Sequence, residues 1–217
     1  MSDSAHIIYS RYTVGSVLNF HESPNSVHTV RVIEELTTLN YHDLFPFLKV
    51  HVDDIASPLL LLIYDRTWVN KTYYLIVRSY HEYWNGDREL KYLDIVRNGR
   101  ARTLINDKDL MDRITRETNE DDEESGRSIA EVNWTEEERE VGVFYHIQNL
   151  FNDVLNSFKA LSDIQGQYVP RLHAHWYLKI HGDEDEMLQQ PSLLFEDVVG
   201  FNLVYLFDRV RKALGVI

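Results

Sequence analysis

The segment Leu59-Leu60-Leu61-Leu62-Ile63-Tyr64 is the longest apolar run in the chain, and it is followed at once by Asp65-Arg66. A short apolar run bounded by turn residues is typical of a strand that is buried on both faces. We therefore expect this segment to be a central strand of a sheet. Shorter segments rich in β-branched or alternating apolar residues predict further strands at residues 15–20, 27–33 and 45–52.

The second half of the chain contains the clearest helix signal. Thr135 and Glu138 have the spacing of a capping box, in which each side chain accepts a hydrogen bond from a backbone N–H at the start of a helix. Apolar residues then recur at steps of three or four, which predicts one helix over about 136–162, roughly 40 Å long. This apolar stripe, expected to face the core, is Phe144, Ile147, Phe151, Val154, Phe158 and Leu161.

The remaining segments complete a prediction of one domain over residues 1–217. Residues 169–180 and 192–199 predict a hairpin, and residues 165–167 contain a glycine expected to cap the long helix. We expect further helices from about residue 87 to 98 and over 201–214, and an acidic, disordered loop at about 117–128. The predicted fold class is α+β: an antiparallel sheet with one long packed helix, an inserted helical segment and a C-terminal helix.

Composition excludes several classes of function. The chain has 217 residues, no cysteine and a formal net charge of −13, so it holds neither disulfides nor thiolate metal sites. An acidic surface repels phosphate backbones, so we expect no nucleic-acid partner. The N-terminus lacks a signal-peptide pattern and no apolar run approaches the ~20 residues of a membrane helix. We therefore expect a cytoplasmic protein without a membrane contact, and a nuclear location stays open.

Three stretches in this order resemble the N-terminal lobe of fungal protein-kinase-like proteins, within a superfamily that includes the aminoglycoside phosphotransferases. Residues 158–172 resemble the family's connection from helix αC to the next strand, with Leu161, Gly166 and Pro170-Arg171 in place. Residues 192–203 resemble its hinge strand, and residues 61–66 resemble its third strand. The resemblance spans about residues 12–210 and implies a kinase N-lobe-like sheet with the long helix packed on it.

The departures from this family pattern decide what the resemblance implies about function. The family's phosphate-pairing lysine falls at Leu62, and the glutamate that pairs with it falls near Val154, so both charges are replaced by apolar side chains. No glycine-rich phosphate loop is present, and the family's catalytic loop would lie beyond Ile217. We therefore expect no catalytic residue and no cofactor. Were ATP with magnesium to bind, the hinge candidates would be Glu196, Asp197 and Val198.

Histidines supply the other chemistry worth weighing. His173 and His175 share one face of a predicted strand and His181 lies nearby, but no further ligand has a defined spacing, so we expect no metal site. His181-Gly182-Asp183 looks like a kinase catalytic motif, yet it precedes the hinge and lacks the following asparagine. We interpret it as an acidic turn.

Three hypotheses of function follow. The first is a non-catalytic, pseudokinase-like interaction or regulatory module that binds a protein partner or self-associates. The second is an ATP-dependent phosphotransferase, if the chain is a fragment of a longer kinase-like protein or is completed by a partner. The third is a structural dimer formed through the helix stripe, although Gly142 and Asn156 interrupt that stripe and paired charges beside it are missing.

Overall fold

A computed structural model describes residues 12–23, 26–36, 45–53, 55–67, 86–119, 134–179 and 185–198. In these ranges the strands are β1 (Val17–Ser23), β2 (Ser26–Glu35), β3 (Phe47–Val52), β4 (Leu59–Ile63), β5 (Leu172–Lys179) and β6 (Gln189–Glu196). The α-helices are α1 (Gly86–Arg97), α2 (Arg100–Ile105), α3 (Lys108–Asn119) and α4 (Glu136–Ala160), with 3-10 turns at Ser162–Ile164 and Glu186–Leu188. The helix predicted over 201–214, His181 and the acidic segment beyond residue 119 lie outside the described residues.

The strands form a closed antiparallel barrel in the order β1-β2-β3-β4-β6-β5. Closure depends on the pairing of β1 with β5, in which Phe20 lies opposite Leu178 and His21 lies opposite Tyr177. The predicted fold class, a kinase N-lobe-like antiparallel sheet with one long packed helix, is therefore wrong. Its error is the assumption of a sheet with free edges, since here the first strand joins the fifth and no edge remains among the described strands.

Side chains fill the interior of the barrel. Because residues alternate between the two sides of a strand, every second residue of each strand points inward. The inward set is aliphatic and aromatic and is joined by the ring of Tyr12, which precedes β1 and is 1% exposed. The barrel is thus a packed core and not a ligand-binding cavity. Its members include Phe20, Val30, Val32, Leu48, Val50, Leu59, Leu61, Ile63, Trp176, Leu178 and Leu194.

The long helix α4 covers part of the barrel's outer surface. Its apolar stripe packs on outward side chains of β4 and β6, with Phe158 beside Phe195 at 4.9 Å between ring centroids. Tyr64 meets Phe151 edge-on at 5.4 Å. All five residues of β4 are buried, because odd-numbered positions face the barrel interior and even-numbered positions face α4. The prediction of a strand buried on both faces is confirmed.

The first turns of α4 pack on α1, α2 and α3, whereas Val143 and Ile147 already belong to the cluster at the barrel surface. A separate apolar cluster there contains Tyr92, Leu104, Ile114 and Val141. Three consecutive glutamates in the first turn of α4 each pair with a cation on a different helix: Glu136 with Lys91, Glu137 with Arg100, and Glu138 with Arg113. The start of α4 thus holds the three shorter helices together.

The predicted helix boundaries were partly right. The capping box is present, since Thr135 N donates to Glu138 Oε2 at 2.8 Å and Glu138 N donates to Thr135 Oγ1 at 3.2 Å. The cap at the other end is not the expected glycine. The helix ends at Leu161, and Gly166 (φ 78°) belongs to the turn that follows. Residues 117–119, which were predicted to begin the acidic loop, belong to α3.

The predicted hairpin is confirmed, with β5 and β6 paired from Leu172–Phe195 to Lys179–Gln189. The apolar residues at alternate positions of β5, which are Leu172, Ala174, Trp176 and Leu178, do not all share one face, however. A register shift between Leu172 and Ala174 turns Leu172 outward beneath α4, while Trp176 and Leu178 stay in the barrel interior. A bulge inserts one residue and so reverses the alternation of faces.

Candidate functional site

A buried carboxylate organises one end of the barrel. Asp65 lies two residues after the end of β4 and is fully buried. It accepts hydrogen bonds from Thr67 N at 2.7 Å, Thr67 Oγ1 at 2.6 Å and Gln190 Nε2 at 2.7 Å. The Tyr12 hydroxyl lies 2.6 Å from Asp65 Oδ2 and 2.9 Å from Gln190 Oε1. Buried carboxylates are tolerated when their lone pairs are occupied in this way. Asp65 therefore fastens the segment before β1 to β4 and β6.

A second buried cluster joins the barrel to the helices. Arg66 pairs with Glu89 of α1 and, at 3.2 Å, with Glu140 of α4, while Arg88 Nε donates to Glu140 Oε1 at 2.8 Å. Glu140 is 2% exposed and Arg88 is 7% exposed. Two cations thus meet two anions, so the cluster is neutral overall. Buried charges persist in proteins when they are paired and hydrogen-bonded in this manner.

The aromatic ring of Tyr92 forms one wall of this ion cluster. The guanidinium carbon of Arg66 lies 3.5 Å from the centroid of the ring, which is a cation–π contact. The Tyr92 hydroxyl donates to the carbonyl oxygen of Met187 at 2.7 Å. Burial raises the pKa of Tyr92 above its usual range, although the positive charge of Arg66 acts in the opposite direction.

A small cavity opens beside these residues, between α1, α4 and the start of β6. Its volume is about 20 Å³, and its lining includes Tyr64, Arg66, Glu89, Tyr92, Gln148 and Gln190. A cavity of this size holds about one water molecule. Arg66 and Glu89, the two charged residues of this lining, pair with one another.

The two positions compared with kinase charges lie together but are apolar. Leu62 lies on the outward side of β4, 9% exposed, in the apolar cluster under α4, and Val154 packs against the same cluster. The expected neighbourhood of the two residues is thus present. It contains packing contacts and no polar group from either residue.

The hinge candidates are engaged with neighbouring strands. The backbone N–H of Glu196 donates to the carbonyl oxygen of Arg171 at 2.9 Å. Asp197 lies 2.6 Å from the ammonium of Lys49, and this hydrogen bond and the carboxylate charge raise the pKa of Lys49. Val198 is 37% exposed. These contacts tie the end of β6 to β3 and β5.

His173 and His175 are both exposed on β5. Among the residues described, no group of three or more histidine, aspartate or glutamate side chains is placed to hold a metal ion. In the same part of the chain, no helix combines the length and apolar character needed to cross a membrane.

The outer side of β1 and β2 presents a surface of different character, here called the β1–β2 face. Asn19 and Thr29 lie at its centre, joined by a hydrogen bond of 3.3 Å. Arg31 is the one formal charge among the outward residues of the β1–β2 pair from Val17 to Ile33. The exposed aliphatic residues of the face are Val17 (49% exposed), Val27 (55%) and Ile33 (38%).

A scan against protein-family models, a search of curated proteins and a search of solved structures each found no match to this chain. The resemblance to fungal kinase-like proteins therefore stays a prediction.

Sequence reasoning missed both buried polar clusters, although one signal was present. Glu140 stands four residues before Phe144 and seven before Ile147, so it continues the apolar stripe of α4 toward its N-terminus. A carboxylate on a buried stripe requires a cation nearby. Arg66, which lies three residues after the most buried strand, is the cation that pairs with Glu140.

Proposed function

We propose that this chain is a non-catalytic protein-binding module whose contact surface is the β1–β2 face. The observation that carries the proposal is the exposure of three aliphatic side chains on that face, where Arg31 is the one formal charge between Val17 and Ile33. Charged residues make up 26% of the whole chain. The β1–β2 face therefore carries fewer charges than the chain does on average. Depletion of charged residues is a feature of the buried centre of protein-binding surfaces.

The state of the buried polar groups supports the non-catalytic part of the proposal. Asp65 is occupied by hydrogen bonds, and Arg66, Arg88 and Glu140 are occupied by one another. A catalytic acid, base or anion-binding cation needs an accessible site in which a substrate can reach it. The adjoining cavity of about 20 Å³ has room for about one water molecule.

The helix stripe offers no alternative contact surface. Ile147, Phe151 and Phe158 are each at most 2% exposed, because they pack on the barrel or on the shorter helices of the same chain. A dimer formed through this stripe would require α4 to leave the barrel. We therefore do not place the contact there.

Two measurements test the proposal. The melting temperature should not change with millimolar ATP and magnesium, whereas binding at 100 times the dissociation constant would raise it by roughly 5–10 °C. Affinity capture from a lysate should retain proteins on the wild-type chain and on a Leu90→Lys control, and should lose them on Ile33→Lys. Leu90 is a suitable control because it is 66% exposed on α1, outside the β1–β2 face. The proposal would be contradicted if ATP raised the melting temperature, or if the Ile33→Lys variant captured the same proteins as the wild-type chain.

A further inference from the structure

The chain leaves the barrel close to the β1–β2 face. Asp197, the residue after β6, lies 2.6 Å from the ammonium of Lys49 on β3. Because β4 lies between β6 and β3, this ion pair spans β4 and brings the end of β6 toward β3. Lys49 in turn lies opposite Glu34 on β2, next to the bulge that contains Ile33. The residues beyond Val198 therefore begin near β3, the strand beside the Ile33 end of the face.

The sequence of the 19 residues after Val198 suits such a surface. In the helix predicted over 201–214, apolar residues recur three, four, seven and eleven positions after the first, which is the pattern of a helix that packs by one side. These residues are Leu203, Leu206, Phe207, Val210 and Leu214. A helix over 201–214 is about 21 Å long. The strand β2 measures about 20 Å from Ile33 to Val27, so the two lengths match.

The charge of this segment is opposite to that of the rest of the chain. Three cations and one carboxylate give residues 199–217 a formal charge of +2, so the rest of the chain carries −15 and the total is −13. The cations are Arg209, Arg211 and Lys212. In a helix that runs along β2 from Ile33, they lie beyond Arg31. At the far end they approach Glu22 of β1, whose side chain is 61% exposed, so opposite charges meet there.

We infer that residues 199–217 cover the β1–β2 face as a helix laid along β2, and that they thereby regulate the binding of a partner. The inference rests on the proposed function, because the segment and the partner compete for one surface. The closed barrel leaves no strand edge, so the segment contacts the face through side chains. A segment of the same chain also has a high effective concentration at the face. A partner binds only the uncovered fraction, which lowers its apparent affinity.

The accessibility of introduced thiols tests the inference, because the chain contains no cysteine. Val17→Cys places one thiol on the face, and Leu90→Cys places one on α1, outside the face. The rate of alkylation by iodoacetamide is measured for each variant of the full chain. Addition of Leu206→Glu, which puts a charge on the apolar stripe, should speed alkylation of Val17→Cys at least about fivefold, since a covered fraction of about 90% slows it about tenfold. The rate for Leu90→Cys should not change.

The matched control is Tyr205→Glu. It introduces the same charge one residue earlier, on the side of the predicted helix that lies opposite the stripe. Addition of Tyr205→Glu should therefore leave the alkylation rate of Val17→Cys unchanged. Melting temperatures of all variants establish that the compared chains are folded.

The outcomes separate the two proposals. An alkylation rate that does not respond to Leu206→Glu, or that responds equally to Tyr205→Glu, overturns the inference. Protection that appears only as the protein concentration rises also overturns it, because a second copy would then cover the face. If the inference fails and capture of other proteins is still lost with Ile33→Lys, the proposed function stands alone. If Leu206→Glu uncovers the face but captured proteins do not respond to Ile33→Lys, the proposed function fails.

Discussion

The carboxylate of Glu140 in α4 lies 3.2 Å from the guanidinium of Arg66, which is three residues beyond the end of β4. This ion pair links the long helix to the most buried strand of the barrel. Since Arg88 of α1 shares the same carboxylate, three separate segments of the chain converge on one side chain. The pair is buried, so its loss has consequences that a surface ion pair does not have.

Replacement of Glu140 by glutamine should lower the free energy of unfolding by about 3–5 kcal/mol, because Arg66 and Arg88 lose a buried counter-charge. The matched control is Glu137→Gln, which removes an ion pair with Arg100 whose side chains are 44% and 53% exposed. That change should cost about 1 kcal/mol or less. Urea unfolding of the two variants measures the difference, and equal losses would contradict a structural role for the buried cluster.

Replacement of Asp65 by asparagine should destabilise the barrel end by about 1–3 kcal/mol. The asparagine oxygen can take the place of Oδ1 and accept from Thr67 and Gln190, but these hydrogen bonds lose the strength that the carboxylate charge gives them. The amide nitrogen then takes the place of Oδ2 and cannot accept from the Tyr12 hydroxyl. Asp163→Asn, which changes an exposed carboxylate in a 3-10 turn, should have little effect. Thermal unfolding distinguishes the two, and an unchanged melting temperature for Asp65→Asn would show that the network is dispensable.

Two glycines should respond to alanine in opposite directions. Gly142 lies inside α4, and an added Cβ would meet Ile114 side-chain carbons at 3.6 and 3.7 Å, which is ordinary contact. Gly142→Ala should therefore stabilise the chain by about 0.5–1 kcal/mol through helix propensity. Gly166→Ala should destabilise it by about 1–2 kcal/mol, since φ is +78° and the Cβ would lie 3.0 Å from Arg171 Nη2. If both substitutions stabilised the chain, the left-handed backbone conformation assigned to Gly166 would be wrong.

Stability should fall in alkali because of Tyr92. Burial raises the pKa of this phenol in the folded chain, whereas a tyrosine in the unfolded chain releases its proton near pH 10. The unfolded state then binds fewer protons, so this group's contribution to stability is complete below about pH 10. It is lost above that pH by up to about 1.4 kcal/mol per pH unit.

The variant Tyr92→Phe isolates this effect. It loses the hydrogen bond to the Met187 carbonyl, so it should be about 1 kcal/mol less stable than the wild type at neutral pH. Above pH 10 the deficit should shrink, because the variant has no phenol at this position to ionise on unfolding. Urea unfolding at a series of pH values measures the deficit, and a deficit that stays constant would contradict the assignment.

Local structure was largely predictable from the sequence. The burial of β4 on both faces followed from its uninterrupted apolar residues, and the start of α4 followed from Thr135 and Glu138. These signals lie within a few residues of one another, so they do not depend on distant parts of the chain. The end of α4 was less predictable, because Gly166 serves a turn whose position depends on Arg171 and the start of β5.

The candidate sites were less predictable than the elements. Leu62 and Val154, the positions compared with the kinase lysine and glutamate, both contribute apolar side chains to one cluster. The polar network around Asp65 joins residues as far apart in sequence as Tyr12 and Gln190. No local pattern marks such partners, because their proximity depends on how the strands are ordered in the barrel.

The sequence by itself determined where the main strands and the long helix form, since periodicity and capping are short-range properties of the chain. Only the tertiary structure decided that the sheet closes into a barrel. That result depends on the pairing of β1 with β5, across more than 150 residues between His21 and Tyr177. Backbone pairing of this kind is set by the packing of the whole interior and has no local signature. Closure also turned one side of β1 and β2 to the surface and thereby created the β1–β2 face.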